Sequence, residues 1–501
     1  MVKQESLPSE EPARLGQGDL RKYLWGAATL LRGLIDSGDY KQYIFPLLFF
    51  KRLSDVYDEE RAKALADYGH DEIVNAPENH RFQIPDEAHW EDVRRKPQEV
   101  GKAISEAMHA IENANPQHLG GIFGDADWTN AERLPDATLS SLLEHFSTQT
   151  LNLARVPEDE LGNAYEYLIG KFADDSGHTA QEFYTNRTLV DLMARMLKPL
   201  PGESVYDPTC GTGGMLITTV GVVRSRGLEH RALRLYGQER NVMTSSIARM
   251  NLFLHGIEEF EIARGDTLDA PAFVADDGLR TFDVVLANPP YSIKQWNRAK
   301  FVNDPWGRNV WGTPPQGRAD YAFFQHIAAS LKPGSGRCAI LFPHGVLFRK
   351  EERDMREALI RSGLLECVLG LGPGLFYNSP MEACVVVCRT GRPPGERDRV
   401  LFINAVNEVT RPRNGQTRLD EEHISRILGV YEAFADEPGF AKVVSTDEVL
   451  SRDASLAIPL YVAADYAADR PQLELVRGLW EDSSKATAAA VKALLRIEDS
   501  E

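Results

Sequence analysis

The stretch Ser204 to Met215, SVYDPTCGTGGM, decides the fold: a short apolar strand runs straight into a turn with three glycines and then into helix-like sequence. Glycines directly after a strand let the backbone turn tightly and let a ligand approach peptide N–H groups without a Cβ in the way. The loop is neither the GxGxxG dinucleotide fingerprint nor a GxxxxGK[ST] phosphate loop, so it suits a nucleotide-like ligand and not triphosphate hydrolysis. A purely structural turn would use the same glycines.

Around it, short apolar runs alternate with helices. Strands are expected at Ser204–Tyr206, Leu233–Gly237, Ile262–Ala263, Phe282–Ala287, Cys338–Phe342, Leu364–Gly370 and Ala383–Cys388. Alternation over this length predicts a doubly wound α/β fold with a mostly parallel, Rossmann-like sheet, and ligands in such sheets bind outside the carboxyl ends of the strands. The residues after each strand are therefore the candidates for chemistry. Asp207 ends the first strand and Glu239 the second, 32 residues later, where a carboxylate can accept from both hydroxyls of a ribose. Asp266 follows the third strand and can accept from an adenine amino group. Taken singly, either acid reads more readily as a helix N-cap or a solvated side chain; their order after successive strands favours the ligand.

After Phe282–Ala287 comes Asn288-Pro289-Pro290-Tyr291. An exocyclic amine on a base is a poor nucleophile because its lone pair is delocalised into the ring. Two acceptors that bind its N–H bonds favour a tetrahedral nitrogen and localise that pair. The Asn288 side-chain carbonyl and the Pro289 backbone carbonyl can be those acceptors, with the prolines fixing their aim. Tyr291 can stack on a base drawn out of the duplex. Methyl transfer from a sulfonium needs in-line placement and no metal, and none is assigned. Upstream, Gln181-Glu182-Phe183-Tyr184-Thr185-Asn186 precedes a helical run, Leu189–Leu197, where the aromatic pair fits either a cofactor wall or a hydrophobic staple.

Together QEFYTN, DPTCGTGGM, Glu239, Asp266 and NPPY resemble the amino-methyltransferases of DNA. With LWGAATLLRG (24–33), YIFPLLFFKRLSD (43–55), the region around Asn378 and LAIPLYV (456–462), the likeness extends to the modification subunit of type I restriction–modification systems. It implies a class I methyltransferase sheet and S-adenosyl-L-methionine as cofactor. The implied cofactor residues are Gln181, Glu182, Phe183, Tyr184, Thr185, Asn186, Asp207, Gly211, Thr212, Gly213, Gly214, Glu239 and Asp266. The implied catalytic residues are Asn288, Pro289, Pro290 and Tyr291. Asn186 departs from the proline usual there, which should alter the helix entry and not the activity. The implied partners are double-stranded DNA, a separate specificity subunit carrying two copies of this chain, and a restriction or translocase subunit.

Three segments are expected: an all-helical domain over 1–150, a catalytic domain over 151–410 and a tail over 411–501 ending in an amphipathic helix, Gln472–Arg496. In the first, Leu24, Ala28, Leu31 and Leu34 recur at helical steps, followed by Ile104, Met108, Ile111 and Leu139, Leu142, Leu143. The terminal helix can pack on this chain or on a partner. The amino terminus, MVKQESLPSEEPARLG, does not read as a secretory signal, and no apolar run suffices for a membrane span, so a cytoplasmic location is expected. None of the five cysteines forms a CxxC pair.

The net charge of −18 is awkward for a DNA enzyme, since affinity for a polyanion comes largely from Lys and Arg meeting phosphates. Only 46 residues, 292–337, separate Tyr291 from the Cys338 strand, too few for a target-recognition domain. Within them, Lys294, Arg298, Lys300, Arg308 and Arg318 outnumber Asp304 and Asp320, with Trp296, Trp306 and Trp311 interleaved. That loop suits DNA phosphates and an extruded base, or an ordinary ordered surface. Glutamine amide methylation, cytosine 4-amino methylation and a catalytically silent scaffold are the rival functions. The helical domain argues against the first, Asn in place of Ser before Pro-Pro-Tyr against the second, and the intact motifs against the third.

Overall fold

A computed structural model describes residues 14–175, 185–276, 278–375, 382–413 and 416–462. Seven helices come first: α1 (Gln17–Leu30), α2 (Lys41–Tyr68), α3 (Asp71–Val74), α4 (Trp90–Arg94), α5 (Val100–Ala114), α6 (Asp136–Ser147) and α7 (Glu158–Asp175). Apart from the short α3, their apolar faces close over one core containing Leu24, Phe45, Phe49, Ile104, Leu142 and Tyr165. The helical spacing of Leu24, Ala28 and Leu31 marks buried positions, but α1 stops at Leu30, Gly33 turns at φ +83°, and Leu34 points outward at 49% exposure. The same core takes in Ile247, Met250 and Phe253 from a helix of the sheet region, so the helical part is seated directly on it.

That region alternates strands and helices: α8 (Arg187–Leu197), β1 (Ser204–Asp207), α9 (Gly214–Ser225), β2 (Arg234–Glu239), α10 (Val242–Leu254), β3 (Phe260–Arg264), a two-stranded ribbon of β4 (Val274–Ala275) and β5 (Gly278–Leu279), and β6 (Val284–Ala287). Then follow α11 (Arg298–Val302), α12 (Asp320–Ala329), β7 (Arg337–Pro343), α13 (Arg353–Arg361), β8 (Leu365–Leu371), β9 (Ala383–Arg389), β10 (Arg399–Ala405), α14 (Glu421–Ala433), β11 (Ala441–Ser445) and α15 (Thr446–Ser451). Nine strands form one sheet in the order β11-β10-β8-β9-β7-β6-β1-β2-β3. Pairing is parallel except that β9 runs antiparallel between β7 and β8, and β11 antiparallel to β10.

Period-two alternation makes the sheet a two-faced wall. On β9, Ala383, Val385 and Val387 meet α8, α9 and α14, while Cys384, Val386 and Cys388 meet α12 and α13. All five cysteines are buried. The chain winds outward from β1 through β2 to β3, then returns to place β6 on the other side of β1. The switch point is therefore between β1 and β6, which is where a crevice opens at the strand ends.

The expected boundary at residue 410 falls inside this unit. Past it, Ile424, Ile427, Leu428 and Tyr431 of α14 pack into the sheet core, and β11 adds an edge strand. The anticipated terminal helix, Gln472–Arg496, and Asn378 lie outside the described residues. No described helix is long and apolar enough to cross a membrane.

Candidate active site at the sheet switch point

Four hydrogen bonds hold the glycine loop. Cys210 N–H donates to the Gln238 carbonyl at 3.0 Å and Gly211 N–H to the Glu239 carboxylate at 3.1 Å, tying the loop to the end of β2. Asn251 of α10, fully buried, donates to the Thr212 carbonyl at 2.9 Å. Thr267, past β3, donates its hydroxyl to the Pro208 carbonyl at 2.5 Å. Gly213 closes the turn at φ +79°, a conformation open to glycine at little cost, and serves as the N-cap of α9. The first N–H groups of α9 have no carbonyl partner within the helix, and they carry the positive end of its dipole.

Asp207 is buried under this loop, accepting from Thr209 N–H at 3.0 Å. Loss of hydration, reinforced by the nearby Glu239 charge, pushes its carboxyl up to about 7. Glu239 stands at the crevice with its second oxygen accepting from Asn241 N–H at 2.7 Å. Asp266 caps its own turn through Leu268 N–H at 3.0 Å and faces Arg240 at 3.5 Å.

Across the switch point, β6 delivers Asn288. Its amide nitrogen donates to the Thr185 hydroxyl at 3.0 Å, which fixes the amide so that the carbonyl oxygen takes a hydrogen bond from the Tyr291 hydroxyl. Burial holds the Tyr291 phenol well above its ordinary range, so it stays a donor. Behind the motif, buried Asp320 accepts from Ser292 N–H at 2.9 Å and pairs with Arg349 at 2.6 Å.

Two clefts meet here. A narrow one of about 390 Å³ is lined by Thr185, Arg187, Asp207, Gly211, Thr212, Gly214 and Asn288 among others. A wider one of about 1870 Å³ runs past Glu239, Asp266, Pro290, Tyr291 and Trp296. They share Thr209 and Asn288. The structure thus gathers nearly all the described candidates onto one crevice. Pro289 is buried beside it, and Asn186 turns away from it: its side chain caps α8 through Thr188 N–H at 3.1 Å and donates to the Thr417 carbonyl at 2.7 Å. Gln181, Glu182, Phe183 and Tyr184 lie outside the described residues.

The loop after NPPY differs from its reading as a cationic surface. Arg308 is fully buried, bonding the Thr267 and Leu268 carbonyls at 2.9 and 2.7 Å and pairing with Asp304 at 2.6 Å. Trp311 is buried too, and Lys300 pairs with Asp269 at 3.3 Å. Arg308 and Lys300 thus order the loop that carries Asp266, while Trp311 packs edge-on against Phe324 of α12. Lys294 is exposed on the wall of the wider cleft. Sequence reasoning missed Gln238, Asn251 and Arg187. The first two are polar residues at core spacing, with no local signal of their own. Arg187 is a cation in the first turn of a helix, where the dipole opposes it, and that misfit was the available clue.

The family model described as N-6 DNA Methylase matches residues 156–470, and the one described as HsdM N-terminal domain matches residues 20–146. The type I restriction enzyme MjaIX methylase subunit of Methanocaldococcus jannaschii is 28% identical over 491 residues, spanning 91% of this chain and 86% of its own. The type I restriction enzyme MpnII methylase subunit of Mycoplasma pneumoniae is 26% identical over 503 residues, spanning 91% of each. The crystal structure of a type I restriction–modification system methyltransferase subunit from Streptococcus thermophilus matches with a TM-score of 0.78 at 29% identity, covering 89% of this chain and 100% of that one.

Proposed function

The chain belongs to the N-6 DNA methylase family, and from that premise we propose that it methylates the 6-amino group of adenine in double-stranded DNA, using S-adenosyl-L-methionine, as the modification subunit of a type I restriction–modification complex. The observation that carries this is the meeting of the two clefts at Asn288: one beside a glycine loop, the other wide enough for a base.

The crevice fits the cofactor. The methionine carboxylate suits the N-terminus of α9, where free N–H groups and the dipole favour an anion. A side chain on Gly214 would put its Cβ 2.7 Å from the Arg187 guanidinium, so the loop admits no bulk there. Glu239 would hold the ribose and Asp266 the adenine. When bound, the cofactor supplies an electrophilic methyl group on a sulfonium.

The chain's own part is binding and aim. The Asn288 and Pro289 carbonyls accept the two N–H bonds of the target amine and direct its lone pair at the methyl carbon. A carbonyl oxygen has two lone pairs, so Asn288 accepts from the base without releasing the Tyr291 hydroxyl. Extruding the base costs a few kcal/mol of stacking and pairing, which the Tyr291 ring and the wider cleft help to offset.

Recognition of the target sequence belongs in this reading to a specificity subunit bound by two copies of the chain, with a restriction or translocase subunit joining the complex in the cytoplasm. Asn288→Ala tests the mechanism. In the reconstituted complex it should keep cofactor affinity and lose about 10²–10³ in methyl transfer, the usual cost of one preorganised hydrogen-bonding group. Near-normal turnover would refute it.

A further inference from the structure

Arg187 occupies the first turn of α8, where the helix dipole disfavours a cation. Burial depresses its guanidinium to about 10. A buried cation is tolerated when it is paired and hydrogen-bonded, and removal of one partner is strongly destabilising. Here the partner is Glu166 of α7, a helix whose other face is built into the helical core. Arg187 also donates to the Gly214 carbonyl at 2.6 Å and to the Thr218 hydroxyl at 3.0 Å, both in the first turns of α9, and lines the narrow cleft with Asp207 and Asn288. His255, 3.7 Å from the same Glu166 carboxylate, is kept neutral by burial, its imidazole pushed down to about 4, and so does not compete for that charge at neutral pH.

We propose that Arg187 is a positioning residue for the cofactor loop, clamped by Glu166, so that the seating of the helical part on the sheet sets affinity for the cofactor. This rests on the reading of the loop as the S-adenosylmethionine site. The clamp fixes the rotation and height of the α9 N-terminus, whose N–H groups face the cleft. Glu166 itself lines neither cleft at the switch point, whereas its partner Arg187 lines the narrow one.

Calorimetry with S-adenosylmethionine on the full chain tests this, alongside steady-state assays of the reconstituted complex. Glu166→Gln keeps the shape and removes the charge; it should weaken cofactor binding about tenfold, within the ~5–150-fold usual for coupled sites, with kcat at saturating cofactor within about twofold of the parent. Arg187→Lys, which keeps the charge and loses the fork, should shift affinity in the same direction. Asp159→Asn breaks a different ion pair of α7, Asp159–Arg224 at 2.9 Å to α9 on the exposed surface, and should bind as the parent does. Parent-like affinity in Glu166→Gln and Arg187→Lys, with only a lowered thermal midpoint, would overturn the clamp. Equal weakening in Asp159→Asn would overturn it as well. A parent chain that binds no S-adenosylmethionine would overturn the reading of the loop and the clamp together.

Discussion

Asp207 illustrates how a single side chain links site to stability. Its carboxyl is raised from 3.8 to about 7 by burial and by Glu239. A raised carboxyl favours the protonated form in the folded state, so its stabilising contribution is complete below about pH 3.8 and is lost as pH climbs through about 7. Across that window the group alone can cost about 1.4 kcal/mol per pH unit. Asp207→Asn, which still accepts from Thr209 N–H, should therefore gain stability relative to the parent between pH 5 and pH 8, read from thermal midpoints. Parallel pH profiles would show that Asp207 is ionised at no such cost. Asp207, Glu239, Asp266 and Asn288 were legible in sequence because each ends or closely follows a strand. Arg308 was not, since a cation between tryptophans reads alike whether it meets a phosphate or, as here, buried backbone carbonyls.

At the scale of elements, the proposed cofactor site rests on the junction of β1, the glycine loop and α9. Gly213→Asp forces a side chain onto φ +79°, with its Cβ 3.5 Å from the Ala248 carbonyl of α10, and so disturbs the turn that sets the α9 N-terminus. Affinity should fall by about tenfold, since a strained backbone costs on the order of 1–3 kcal/mol. Calorimetry giving equal affinities would remove this loop from the site. Most central strands were readable as apolar runs because they are buried on both faces. Two strands were not anticipated: β10, although its Val400–Ile403 run is buried, and β11, of whose five residues only Ala441 and Val444 are buried, with Lys442 on its exposed side, so that it lacks the run that marks a core strand. α14 hides four apolar residues among acids, and its spacing emerges only once the sheet gives it a face to cover. Asn186, read as a departure at the helix entry, caps α8 and ties it to Thr417, a contact 231 residues distant that no local pattern encodes.

The whole molecule joins a helical part, seated on α10, to a nine-stranded sheet with its crevice at the switch point. Its net charge is −18, and several cations of the loop after NPPY are spent on internal pairs, which leaves little to neutralise phosphates unaided. In the proposed reading, the crevice and the reading of DNA sequence therefore belong to different chains. The most direct test uses the purified chain, methyl-labelled S-adenosylmethionine and genomic DNA, with and without the specificity subunit, followed by nucleoside analysis. The expected result is no site-specific label from the chain alone, and label recovered as N6-methyladenine at one defined sequence once the partner is added. Robust methylation at a defined sequence by the chain alone, or label recovered in cytosine, would contradict the account.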